Sequence, residues 1–260
     1  MTRRHWLATF STSALAQTGV WPEGKRAALS LSFDDARPSQ IDTGLALFRQ
    51  LKLPATWYVL PGNLQKQVTG WREMLALGNQ EIGNHSSTHP CTANYRIGDR
   101  ALEEMTLADM AANLDRASDA IRSITGVTPR SFAYPCGQKF VGRGARAASY
   151  IPLVAERFTS GRGYLDEMGN LPLRCDFAQL LAFGCDDLSF SAMRTLLEKA
   201  RDSGRWVIFA GHEIGARKFQ TTDTEALREL ADWLLDPANG YWIDTVGNVT
   251  RHLRARRGEL

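Results

Sequence analysis

The sequence has little of what would place a protein in a membrane or on a nucleic acid. No apolar run approaches the ~20 residues that a spanning helix needs, so no membrane span is expected. The formal net charge is only +3. Many of the basic residues sit at the ends, Arg3 and Arg4 at one and Arg251, Arg254, Arg256 and Arg257 at the other. Nucleic acid is therefore not expected as a partner. Cysteine is scarce, and Cys91, Cys136, Cys175 and Cys185 form no C-x-x-C pair, which argues against a structural zinc cluster. Cys175 with Cys185, Cys91 with Cys136, or four free thiols all remain open, because spacing does not fix connectivity.

The first residues read differently from the rest. A basic and then mildly apolar segment, from Arg3-Arg4-His5-Trp6-Leu7 onward, ends in Ala14-Leu15-Ala16, a small-x-small cleavage pattern before Gln17. It resembles a twin-arginine export signal. On that reading residues 1–16 are removed, residues 17–260 form one domain, and the protein works in the periplasm or outside the cell. If the segment stays attached as an amphipathic helix, the location is cytoplasmic. With 43% hydrophobic and 23% charged residues, the remainder can build one sizeable core.

Periodicity then alternates along the chain. Residues 27–33, AALSLSF, suit a buried strand that ends in two acids. Ile41, Leu45, Phe48 and Leu51 return at helical spacing, and residues 55–60 read as a second strand closed by Pro61-Gly62. Helices are predicted over 71–77, 102–124, 193–200, 225–235 and from 246 to about 254. Strands are predicted over 81–84, 130–134, 206–210 and 242–243. Trp57, Trp71, Trp206 and Trp242 fall in these patterns as core residues. Residues 137–186 show little periodicity and are assigned to long loops with short helices. Alternating strands and helices in one domain imply an α/β fold with a mostly parallel sheet, closed or partly closed as a β/α barrel. In such barrels the chemistry gathers at the C-terminal ends of strands. Asp34-Asp35, His85, Tyr134-Pro135 and His212 each follow a predicted strand.

His85-Ser86-Ser87-Thr88-His89 places two imidazoles one helical turn apart, able to face one ion if the segment is helical or nearly so. Adjacent acids at a strand end repel each other unless a cation or proton is shared. Two His and one Asp make a three-ligand site with an open position, the arrangement of a catalytic zinc, although Co2+, Ni2+ or Mn2+ also accept these donors.

Taken in order, Ser32-Phe33-Asp34-Asp35, the HSSTH segment, Tyr134-Pro135-Cys136-Gly137 and Gly211-His212 resemble the motifs of the polysaccharide deacetylases, the NodB-type carbohydrate esterases. The resemblance spans roughly residues 25–255 and implies a distorted (β/α) barrel with a single catalytic domain. It makes Asp34 the general base, Asp35, His85 and His89 the metal ligands, and His212 the general acid. Tyr134, Pro135 and Cys136 become the substrate and oxyanion turn, with the Cys136 N–H as the donor. The implied activity is metal-dependent removal of acetyl groups from N-acetylated sugars. Rivals are an O-acetyl esterase of xylan type, metal-free cyclic-amide hydrolysis, and an inactive carbohydrate-binding scaffold.

Three positions depart from the pattern. Ala133 stands where an arginine usually orients the base, and Arg143, Arg146 or Arg162 would have to replace it. The acid-Trp motif that orients the catalytic histidine is not evident, and Asp187 is the candidate orienting acid, with an N-cap for the helix at 191–200 as its other reading. Ala36 replaces a glycine, with little consequence expected. The sugar, its polymer length and the oligomeric state are not specified by these residues.

Overall fold

The structure, a computed structural model, describes residues 19–95 and 100–259. The export signal expected at residues 1–16, and the junction that would begin the domain, lie outside the described residues.

The chain alternates as expected. Ala27–Asp34 is β1, followed by α1 (Pro38–Asp42), α2 (Gly44–Leu51), β2 (Ala55–Val59), α3 (Pro61–Leu64), α4 (Val68–Ala76) and β3 (Gln80–Asn84). The long helix α5 (Leu107–Thr125) leads to β4 (Ser131–Ala133), then β5 (Phe140–Val141) and β6 (Ala148–Ser149). Next come α6 (Ile151–Arg157), β7 (Ser160–Arg162), β8 (Phe183–Gly184), α7 (Phe190–Asp202) and β9 (Trp206–Gly211). The chain ends with β10 (Glu213–Gly215), β11 (Thr221–Asp223), α8 (Thr224–Leu235), β12 (Tyr241–Ile243) and α9 (Val246–Arg257). No helix among the described residues is long and apolar enough to cross a membrane.

The main sheet runs β7-β4-β3-β2-β1-β9-β8, and all its pairings are parallel. β12 joins the first half of β1, beside the stretch where β2 pairs with the second half. Every residue of β1 and β9 is buried, as expected of parallel strands covered on both faces. The sheet curls into a distorted barrel. Its seam is bridged by the segment before β8, since Leu180 pairs with Arg162 of β7 while Phe183 and Gly184 pair with β9.

Helix ends follow their local chemistry. Thr106 and Asp109 form a capping box on α5, Gly126 closes it in the left-handed conformation, and Asp223 and Thr245 cap α8 and α9. Phe33, Phe48, Trp57 and Trp71 pack as one aromatic run, with Phe33 to Trp57 centroids 4.9 Å apart and Trp57 to Trp71 5.7 Å. Trp57, Trp71 and Trp206 are fully buried, whereas Trp242 is half-buried against Trp21 and His252. The helix expected over 41–51 is broken at Thr43 into α1 and α2.

Candidate active site

Six segments meet at one cavity of about 740 Å³, the one after β7 lining it through Tyr164 while Arg162 itself is buried. Asp34 ends β1, His85 follows β3, Tyr134 follows β4, Arg162 ends β7, Asp186 lies two residues past β8, and His212 follows β9. Parallel strands all point the same way, so their C-terminal ends bring residues more than a hundred positions apart into contact.

The backbone at this rim is unusual. Asp35 (φ 78), Ala36 (φ 53), Ser86 (φ 71), His89 (φ 51), Cys136 (φ 53) and Asp187 (φ 60) are all left-handed without being glycine. Such conformations cost energy and gather at functional sites. Ala36 therefore differs from the small change expected, because a non-glycine residue in the left-handed region costs about 1–2 kcal/mol.

The segment carrying His85 and His89 is not a helical turn, contrary to the reading from its spacing. It is an irregular loop folded on its own hydrogen bonds. Ser86 N donates to Asn84 Oδ1 (2.6 Å), His89 N to Ser86 Oγ (2.9 Å) and Ser87 N to Asn113 Oδ1 (2.7 Å). The left-handed residues reverse the chain and bring both Nε2 atoms to 3.5 Å from Asp35 Oδ1. His85 Nδ1 donates to Ala133 O at 2.9 Å, which leaves its Nε2 with a free lone pair. His89 is driven neutral, to about 4, because burial and the neighbouring His85 outweigh the attraction of Asp35 and Asp34. Asp35 Oδ1 is buried and has no hydrogen-bond partner. One donor atom from each of Asp35, His85 and His89 lies within 4.8 Å of the others. These donors fit a divalent ion: two imidazole nitrogens and an orphaned carboxylate oxygen converge on one shared space.

Cys91 and Cys136 form a disulfide that links this loop to the turn after β4, while Cys175 and Cys185 are free. Tyr134 and Cys136 line the cavity, and Pro135 is buried. The Tyr134 hydroxyl donates to Ala178 O at 2.8 Å.

Among the three candidate arginines, Arg162 reaches the base position. Its Nη2 donates to Asp34 Oδ1, its Nη1 donates to Gly163 O at 2.9 Å, and its guanidinium lies 4.8 Å from the Tyr58 ring centroid. Gly83 makes room for that ring, since a Cβ there would come within 2.5 Å of it. Arg143 and Arg146 are exposed near the β5–β6 hairpin. Burial pushes the Asp34 carboxyl up, but Arg162, with His85 and His212, overrides it and holds the group below the usual carboxylate range.

Asp187 does not orient His212; its neighbour does. Asp186 Oδ2 lies 2.6 Å from His212 Nδ1, and Asp186 Oδ1 accepts from His212 N and Thr222 Oγ1, both at 3.0 Å. The left-handed backbone at Asp187 sends its N–H to Thr221 O, and the cap of α7 is Ser189. Gly211 permits the Asp186 contact, because a Cβ there would sit 3.0 Å from Asp186 Oδ1 and 2.3 Å from Thr222 Oγ1. Burial pulls the His212 imidazole down, but its bond to Asp186 and the charges of Asp34, Asp186 and Asp35 raise it above its ordinary value.

Two residues without a sequence signal complete the frame. Buried Gln40 donates from Nε2 to Asp34 O (2.6 Å) and His212 O (2.8 Å), tying two strand ends together. Arg37 bonds to Asp35 Oδ2 at 3.0 Å. Both follow the acidic pair by a few residues, where polar side chains in a turn are ordinary.

Among known proteins, residues 22–149 match the family model described as polysaccharide deacetylase. That stretch includes Asp34, Asp35, His85, His89 and Cys136 and stops short of Arg162, Asp186 and His212. The chain is similar in structure to a Mycobacterium smegmatis protein classed as a polysaccharide deacetylase, with TM-score 0.66, 16% identity and coverage of 91% of this chain and 93% of that one. It is similar to a family 4 carbohydrate esterase from Streptomyces lividans in complex with acetate, with TM-score 0.54, 18% identity and coverage of 84% and 91%. A family 4 pseudoenzyme from Bacillus anthracis is also similar, with TM-score 0.54, 16% identity and coverage of 86% and 65%. At these identities the likeness is one of fold. A gellan lyase from a Bacillus species is 27% identical over 261 residues, which take in 93% of this chain and 10% of the relative. The chain thus spans about a tenth of the curated relative it matches.

Proposed function

We propose, for a chain that carries a NodB-type polysaccharide deacetylase domain, that it is a metal-dependent hydrolase removing acetyl groups from N-acetylated sugars or polysaccharides. The observation that carries this reading is the buried, unpartnered Asp35 Oδ1 facing Nε2 of both His85 and His89. Zinc is the ion proposed, from the two imidazoles and one carboxylate, with Co2+, Ni2+ and Mn2+ as the other ions these donors accept.

A divalent ion held by Asp35, His85 and His89 supplies a Lewis acid for the acyl carbonyl and makes water a nucleophile at neutral pH. The surrounding side chains move the protons. Asp34 is ionised, and Arg162 occupies its Oδ1, so Oδ2 is left to take a proton from the attacking water. His212 favours its protonated form, and with Nδ1 held by Asp186 its Nε2 donates to the departing nitrogen or oxygen. Cys136, left-handed at the cavity wall, belongs to the turn proposed to face the oxyanion through its backbone N–H. Arg162 supplies a guanidinium in place of the one missing from position 133, which removes a ground for the rival reading as an inactive scaffold.

The site serves an ester as well as an amide, so O-deacetylation is the second reading. Export to the periplasm or beyond is part of the proposal, and the Cys91–Cys136 disulfide suits an oxidising compartment. Metal analysis of the purified protein, with acetate released from N-acetylated and O-acetylated glycans, tests the reading. One equivalent of metal with acetate released from an N-acetyl glycan is expected. A metal-loaded protein that releases none from either class would overturn it.

A further inference from the structure

The two oxygens of Asp35 have different surroundings. Oδ1 faces Nε2 of His85 and of His89 and has no hydrogen-bond partner. Oδ2 is taken by Arg37, whose Nε and Nη2 both lie 3.0 Å away. Among the described residues Arg37 is the only side chain hydrogen-bonded to Oδ2. The guanidinium is held in turn: Nη2 also donates to Gln220 Oε1 at 3.0 Å, and Nη1 lies 3.5 Å from Glu213 Oε1. Glu213 Oε2 accepts from Ser39 Oγ, which itself accepts from Ile214 N at 2.9 Å. Glu213 and Gln220 belong to the β10–β11 segment that directly follows His212.

A free carboxylate can give a metal ion one oxygen or two. A second oxygen from Asp35 would fill a position that water or the acyl carbonyl needs, because catalytic zinc sites depend on an open position. The guanidinium holds Oδ2 from two nitrogens at once as well as neutralising it, which a lysine ammonium with its single nitrogen does not do. We propose that Arg37 is a positioning residue that confines Asp35 to one-oxygen ligation and ties this ligand to the segment carrying His212. The inference rests on the metal reading above. It adds that the open positions on the ion are kept by a residue outside the ligand set.

Cobalt loading tests it, because the visible d–d bands of Co2+ weaken as its coordination number rises. The protein loaded with Co2+ is compared with Arg37→Met, Arg37→Lys and Gln220→Leu, each checked for fold by circular dichroism and for bound metal by direct analysis. Arg37→Met is expected to keep one equivalent of cobalt, show weakened bands, and lose roughly ten- to a hundredfold in kcat with little change in KM. Arg37→Lys is expected not to restore the bands. Gln220→Leu, which loosens the guanidinium without removing it, should shift them the same way by less, and it carries the test if Arg37→Met does not fold. Unchanged bands and kcat with a raised KM would make Arg37 a substrate contact and overturn the proposal. Failure of the unaltered protein to bind cobalt would instead overturn the metal reading, and the proposal with it.

Discussion

As the proposed general base, Asp34 combines two demands that usually conflict, since a buried carboxylate resists ionisation and a base must be ionised. Arg162 resolves the conflict, and this gives the first prediction. Arg162→Met removes one member of a buried pair, which costs about 3–5 kcal/mol. It also lets burial raise the Asp34 pKa, so the acid limb of the pH–rate profile should move to higher pH. A limb that stays in place would mean that Asp34 is not the titrating base. The second prediction separates adjacent acids. Asp186→Asn should lower the His212 pKa, move the alkaline limb to lower pH and reduce turnover roughly 10²-fold or more. Asp187→Asn should leave the alkaline limb where it is; profiles of both variants decide the matter. The acid pair 34–35 and the histidine pair were legible because each follows a strand that periodicity reveals. Asp186 and Asp187 were not separable, since a single left-handed residue decides which carboxylate reaches His212. Arg162 was one of three candidates because sequence does not say that the sheet curls so that the end of β7 faces the end of β1, which is what brings its guanidinium to Asp34.

At the scale of elements, the regular strands and long helices were readable, and the connections between them were not. The four-residue histidine spacing pointed to a helix, yet Asn84, Ser86 and Asn113 bind the backbone of that loop and hold it in another shape. The stretch from 137 to 186 lacked a pattern because its strands are two or three residues long, too short for any period to show. Two such loops are joined by Cys91–Cys136, 45 residues apart in sequence. A loop of that length gives an upper estimate of about 4 kcal/mol for the cross-link. Cys91 Sγ also lies 3.6 Å from His89 Nδ1, so the bond sits against a proposed ligand. Cys91→Ser, or reduction followed by alkylation, should therefore lower the melting temperature and speed loss of metal to a chelator. Calorimetry and metal release kinetics check both, and unchanged metal release would show that the loop needs no cross-link to hold His89.

For the whole molecule, the site imposes opposing pH dependences on stability that should be visible in the metal-free protein. His89 has a folded-state pKa lowered to about 4, so the unfolded chain, with an ordinary imidazole near 6.5, binds more protons between those values. Its contribution is complete above about 6.5 and is lost as pH falls toward 4. His212 is shifted the other way. Its raised folded-state pKa gives stability that is complete below about 6.5 and is lost as pH rises through the raised value. Asp34, lowered in the fold, adds stability above the ordinary carboxylate range that disappears in stronger acid. The chelator-treated protein should therefore melt highest near pH 6.5 and lower on either side. His89→Gln should flatten the acid side of that curve, and His212→Gln the alkaline side, each leaving the other side in place. Melting temperatures across pH 4 to 9 for the three proteins test this. If His212→Gln leaves the alkaline fall intact, the bond between His212 and Asp186 is not the source of the fall.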